Sequence, residues 1–165
     1  MNLEIAKKIG SRLAIRSILI GLFIAQCIMT IFASDNGILK GFFWFTDFDY
    51  LFNIIFEVIV SLTTAYYFGR IAGKRILING NNEILVGILT GLIIIIVSSF
   101  VSSWVGFFQE GIDNIGTNDD PFYDYIFKPI YAVTFFGFIP VLIVGSVYGT
   151  QIKKHKIKEN PADNK

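Results

Sequence analysis

ILVGILTGLIIIIVSSFVSSW, the stretch from Ile84 to Trp104, decides how this chain is read. It carries no charge over its 21 residues. A helix needs about 20 apolar residues to cross the hydrocarbon core of a bilayer. A surface helix of a soluble domain would interrupt such a run with a polar face. The stretch therefore predicts a membrane-spanning helix. Three more runs of this kind lie at Leu13–Ala33, Leu51–Ala72 and Ile130–Thr150. Of the 165 residues, 53% are apolar, and the mean hydropathy is +0.60. The expected fold class is an all-α integral membrane protein, a bundle of four transmembrane helices in one domain over residues 1–165. The connections 34–50 and 105–129 are read as exterior loops, and 151–165 as a partly disordered tail. None leaves room for a second, soluble domain.

The basic residues set the expected orientation, because Lys and Arg in short loops stay on the cytoplasmic side. Lys7, Lys8, Arg12, Arg16, Arg70, Lys74, Arg75, Lys153, Lys154, Lys156, Lys158 and Lys165 flank the runs on one side. Only Lys40 and Lys128 lie on the other. That second side holds Asp35, Asp47, Asp49, Glu110, Asp113, Asp119, Asp120 and Asp124. The topology expected is N-in/C-in, multi-pass, with both termini cytoplasmic in a cell (inner or plasma) membrane. Frequent Lys, Ile, Phe and Asn point to an AT-rich bacterial genome. The apolar stretch from Ser17 to Ala33 exceeds the roughly 7–15-residue core of a signal peptide, so the first span is expected to be retained. Cys27 is the only cysteine, which excludes a disulfide within the chain.

The two halves resemble each other. Phe48-Asp49-Tyr50 precedes the second run, and Tyr123-Asp124-Tyr125 the fourth. Ile18-Leu19-Ile20-Gly21-Leu22 matches Ile88-Leu89-Thr90-Gly91-Leu92, and Gly41-Phe42-Phe43 matches Gly106-Phe107-Phe108. Their common order suggests two tandem helical hairpins. Two helices per unit preserve orientation, so the copies would be parallel, related by an axis along the membrane normal.

Helices in lipid associate through small residues and polar contacts. Gly21 in the first span, Gly69 and Gly73 in the second, Gly87 and Gly91 in the third, and Gly145 and Gly149 in the fourth are the expected packing positions. Ser17 and Ala25 extend the Gly21 stripe. Pro140 removes a backbone donor in mid-span and predicts a kink. The aromatic residues before and after the runs, both Trp among them, form an interfacial belt. Asp49 and Asp124 are candidate helix caps.

Chemistry, if any, sits in one polar layer. Glu57 is the one charged residue well inside a run, and an intramembrane ionisable residue is a functional hypothesis by default. Asn53 and Ser61 share its helix face at four-residue spacing. Gln26, Ser98, Ser99, Ser102, Ser103 and Thr134 reach similar depth, so a ligand or ion pocket is expected around Glu57. Aligning the halves sets Lys128 opposite Asn53. Lys128 is therefore the expected ion-pair partner of Glu57, with Gln26 the alternative hydrogen-bond partner. Glu57 can equally serve to fix helix register.

No phosphate loop, zinc spacing or activated nucleophile is visible, so no catalytic residue, metal or cofactor is assigned and no enzyme activity is expected. Asp113, Asp119 and Asp120 lack the spacing of a calcium loop. The tail from Lys153 to Lys158 suits anionic lipid headgroups. The partners expected are the bilayer and either another membrane protein or a second copy, and no nucleic acid. Two functions remain. One is a small non-enzymatic accessory, assembly or immunity-type binding partner of another membrane protein. The other is a small oligomeric transporter or channel that uses the outward-facing layer around Glu57.

Overall fold

The computed structural model describes residues 1–32, 37–43, 48–116 and 120–159; the side chains of 48–50 and 156–159 fall outside that description. All its regular elements are helical: α1 (Leu3–Phe32), the short α2 (Ile38–Phe42), α3 (Phe48–Leu77), α4 (Glu83–Gly106) and α5 (Lys128–Glu159). Between α4 and α5 lie π-helical turns at Phe107–Gly111 and Tyr123–Phe127 and a 3-10 turn at Ile112–Asn114. Four helices are long and apolar enough to cross a membrane, as the four runs predict. Asp35, Trp44, Phe45, Asp47, Asp119 and the tail beyond residue 159 lie outside the described residues, as does the side chain of Asp49.

Polarity is inverted relative to a soluble protein. Large apolar side chains face outward, with Phe135 78% and Ile31 72% exposed, while Ser98 and Ser99 are only 1% and 2% exposed. Water would penalise that outer surface, and a soluble protein rarely exposes such large apolar patches. The four apolar helices and this surface point to a multi-pass membrane protein.

The helices outrun the apolar runs. The helix α1 starts at Leu3, where Asn2 Oδ1 accepts the Glu4 backbone N–H at 3.1 Å. The expected tail is helical as far as Glu159, and much of the expected loop 105–129 is also helical. Apolar length sets how much helix lipid can hold, not where the helix ends. Capping and side-chain packing extend it further. Asp120, not Asp124, caps the segment leading to α5, its Oδ1 accepting the Tyr123 N–H at 3.1 Å. Between α3 and α4 the chain reverses at Gly80, whose φ of 69° favours glycine. There the Asn81 N–H reaches back to the Arg75 carbonyl at 3.0 Å. Asn82 then caps α4 through the Leu85 N–H at 3.0 Å. The helix α5 runs without a break through Pro140.

The chain groups into two compact units. The first comprises Met1–Gly21, Leu62–Ile94 and Phe138–Lys165. Its core includes Ala6, Leu13, Ala14, Ala65, Ala72, Ile76, Ile94, Tyr148 and Ile152. Glycines carry its helix contacts. A Cβ on Gly10 would lie 2.7 Å from Gly73 Cα, and one on Gly69 2.6 Å from Ala14 Cβ. In the same way, a Cβ on Gly87 would lie 3.0 Å from Gly149 N, and one on Gly145 3.0 Å from Ile88 Cα. Gly91 meets the Val141 side chain. Gly21 meets nothing within 4 Å, so it is not a packing position. Its place on α1 is taken by Ala6, Gly10 and Ala14, two to four turns nearer the N-terminus. Tyr148 also donates its hydroxyl to the Gly10 carbonyl at 3.1 Å.

The second unit comprises Leu22–Ser61 and Ile95–Gly137. Aromatic rings and hydroxyls dominate it. Phe107 stacks on Phe122 at 4.8 Å, and Trp104 contacts both Phe107 and Phe108. Phe107 and Ile126 are buried, at 5% and 3% exposure. This ring packing sustains the helical turns beyond Gly106.

Candidate functional site in the serine-lined unit

All nine residues singled out for the polar layer belong to the second unit. Asn53, Glu57 and Ser61 step along one face of α3, since four residues make about one turn. On α4, Ser98, Ser99, Ser102 and Ser103 fall on adjacent positions of two consecutive turns. Ser61, Ser98, Ser99 and Ser103 are buried.

Glu57 meets α4, not α5. Ser102 donates its hydroxyl to Glu57 Oε2. The same hydroxyl lies 3.3 Å from the Ser99 carbonyl, so it has an alternative acceptor on its own helix. Ser103 donates to the Ser99 carbonyl at 2.6 Å, Ser99 to Ile96 at 3.1 Å, and Ser98 to Ile95 at 3.3 Å. Ser61 donates to Val58 at 3.0 Å. A serine that bonds back to its own helix is satisfied where no water reaches it, and it occupies little volume. These serines therefore let helices approach while keeping a spare oxygen for a neighbour.

The expected partners of Glu57 are engaged elsewhere. Lys128 sits 3.4 Å from Asp124, one turn earlier, and is 69% exposed. Its long side chain gains more from an acid on its own helix turn at the surface than from entering the apolar layer, where a cation is costly. Gln26 donates Nε2 to the Phe42 carbonyl at 2.7 Å, which ties α1 to α2. Its backbone carbonyl accepts from Thr30 at 2.7 Å. Among the described residues, two buried polar atoms lack a hydrogen-bond partner, Asn53 Oδ1 and Thr134 Oγ1. An unsatisfied buried group costs about 1–3 kcal/mol.

The arrangement can accept hydrogen bonds at Glu57, Asn53 and Thr134 and donate them from serines. The Glu57–Ser102 contact was legible only in part. The i, i+4 spacing on α3 and the doubled serines on α4 were visible in sequence. Which helix would lie opposite Glu57 was not, because four apolar runs carry little information on neighbours. No family model, curated protein or solved structure matches this chain.

Proposed function

We propose that this is a small, non-enzymatic multi-pass membrane protein that acts by binding another membrane protein, as an accessory, assembly or immunity-type partner. The observation that carries this reading is the engagement of Glu57 by Ser102 across two helices. Its carboxylate serves helix register, and the neighbouring hydroxyls are bonded to their own backbones. What the molecule then offers a partner is its outer surface. In the second unit that surface includes Phe127, Tyr131 and Phe135 at four-residue spacing, 50%, 66% and 78% exposed. Such a ridge fits a groove on a second transmembrane helix or a second copy.

The same proposal places the chain in a bacterial cell membrane with both termini in the cytoplasm, on the strength of its Lys and Arg partition. It also takes the chain as two tandem hairpins, in a register that differs from the one that sequence matching suggests. Gly10 meets Gly69 and Gly73, as Gly87 meets Gly145 and Gly149. Gly10 thus pairs with Gly87 in the repeat, where sequence matching paired Gly21 with Gly91.

The deciding experiment has two arms. Purified protein in liposomes should pass no ion or small solute above empty-liposome leak, and affinity capture with a photo-crosslinker at Tyr131 should recover a defined membrane partner. Flux that disappears in Glu57→Gln would overturn the proposal. It would favour the second reading, a small oligomeric transporter or channel. Asn53 Oδ1 and Thr134 Oγ1 support that reading, because buried oxygens without partners suit a polar ligand or ion.

A further inference from the structure

The first unit carries a groove of about 460 Å³ between α1 and α3. Four of its lining residues are basic: Lys7, Arg70, Lys74 and Arg75. Glu4 bridges two of them, 2.8 Å from Lys7 Nζ and 3.2 Å from Arg70. The Tyr66 hydroxyl accepts from Arg70 at 2.9 Å, so this guanidinium is held from two sides. Among the described residues, Lys74 and Arg75 have no ion-pair partner. Four cations against one carboxylate leave a surplus of three positive charges at one groove.

The same groove has apolar lining as well. Tyr67 and Ile71 line it, 63% and 47% exposed. They stand one turn apart on α3, toward its apolar run. From Tyr67 to Arg75 the helix rises about 12 Å at roughly 1.5 Å per residue. The headgroup region of one leaflet is roughly 5–8 Å deep. A groove of this length therefore begins beside acyl carbons and ends among phosphates. A soluble anion would gain nothing from Tyr67 and Ile71, whereas a lipid uses both the basic and the apolar lining.

We infer that this groove holds the headgroup of an anionic phospholipid carrying two phosphates, with its glycerol and first acyl carbons along Tyr67 and Ile71. Two phosphates match the surplus charge better than one. Basic pockets between membrane helices are suited to such headgroups, and each surface cation adds roughly fivefold to affinity.

The test uses the full-length protein in neutral detergent, with retained lipid counted by native mass spectrometry. Diphosphatidylglycerol is the probe, phosphatidylcholine the neutral reference, and pyrophosphate the soluble competitor. Diphosphatidylglycerol should be retained at about one per chain, and phosphatidylcholine should not. The double variant Lys74→Gln/Arg75→Gln should bind about thirtyfold more weakly. Removing two tail charges, Lys153→Gln/Lys154→Gln, should change binding less than about twofold, since neither residue lines the groove. Lys74→Gln alone, expected to lose roughly fivefold, carries the test if the double variant misfolds. Equal losses in the groove and tail variants would overturn the inference, because charge alone would then suffice. So would unchanged binding in both groove variants. Displacement of the lipid by equimolar pyrophosphate would also overturn it, marking a site for soluble diphosphates.

Discussion

In the unit formed by Met1–Gly21, Leu62–Ile94 and Phe138–Lys165, helices touch through glycine backbones. In the unit formed by Leu22–Ser61 and Ile95–Gly137, they touch through hydroxyls, a carboxylate and aromatic rings. The same four apolar helices use both devices. Lipid explains why two are needed. Apolar surface gains little by leaving a solvent that is itself apolar, so association depends on close approach or on polar contacts. Close approach is intolerant of added atoms but indifferent to pH and salt. Polar contacts tolerate changes in shape but fail when one partner is removed.

The largest effect should come from breaking close approach. A Cβ on Gly149 would run into the Glu83 backbone, and one on Gly10 into the Gly69 carbonyl. Backbone atoms cannot rotate aside as a side-chain tip can. Gly149→Val and Gly10→Val should each cost about 3 kcal/mol or more, the upper end for overpacking, read as lost thermal stability in detergent. Gly21→Ala is the control and should leave the melting temperature unchanged. If Gly21→Ala and Gly10→Val behave alike, the glycine contacts are not what holds this unit.

The polar unit should respond asymmetrically. Glu57→Ala removes one interhelical bond, worth about 1 kcal/mol in a membrane protein. Ser102→Ala removes the same bond but leaves a carboxylate without its donor, which costs more, about 2–3 kcal/mol. The double variant should then resemble Glu57→Ala alone, a coupling that a thermodynamic cycle measures. Equal costs for the two single changes would mean that Glu57 is satisfied by something other than Ser102.

Tyr148 tests whether the glycine unit contains a polar contact of any weight. Its hydroxyl donates from α5 to the Gly10 carbonyl at 3.1 Å, and the side chain is 3% exposed. Tyr148→Phe keeps the ring packing and should cost about 1 kcal/mol, less than either glycine change. A loss as large as that of Gly10→Val would show that the hydroxyl matters more than the close approach.

Sequence carried the number of helices, since each crossing needs about 20 apolar residues and each run supplies them. It also carried the glycine stripes of α3 and α5. It missed Ala6, Gly10 and Ala14, although their four-residue spacing is the same signal, because they begin before the apolar run and α1 does too. Neighbour relations were the harder part. Lys128 was placed against Glu57 by aligning the halves, yet the ion pair it makes is local, with Asp124. A charge near a span boundary has cheap partners on its own helix, and a repeat alignment does not see them. The basic groove was visible only as orientation signal, because Lys7 and Arg70 are 63 positions apart in sequence and meet through Glu4.

The smallest effect expected is electrostatic and lies at the polar edge of the glycine unit. Glu4 precedes the apolar run of α1, and its carboxyl is held below its usual 4.5 by the hydrogen bond and charge of Lys7, then by Arg70. A carboxyl whose folded value is depressed binds fewer protons folded than unfolded, so its contribution is complete above about 4.5 and is lost as the pH falls through the lower folded value. Glu4 is well exposed, so salt screens the contribution over about 8 Å at physiological ionic strength. Melting followed between pH 3 and 7, a window set by that 4.5, should fall slightly less steeply toward acid for Glu4→Gln than for the parent, and added salt should erase the difference. Glycine contacts have no proton to lose, so Gly10→Val should keep the parent's pH dependence on a curve displaced to lower stability. A pH slope that survives Glu4→Gln would point to Glu83, whose carboxyl is likewise held below 4.5 by its hydrogen bond to Lys153.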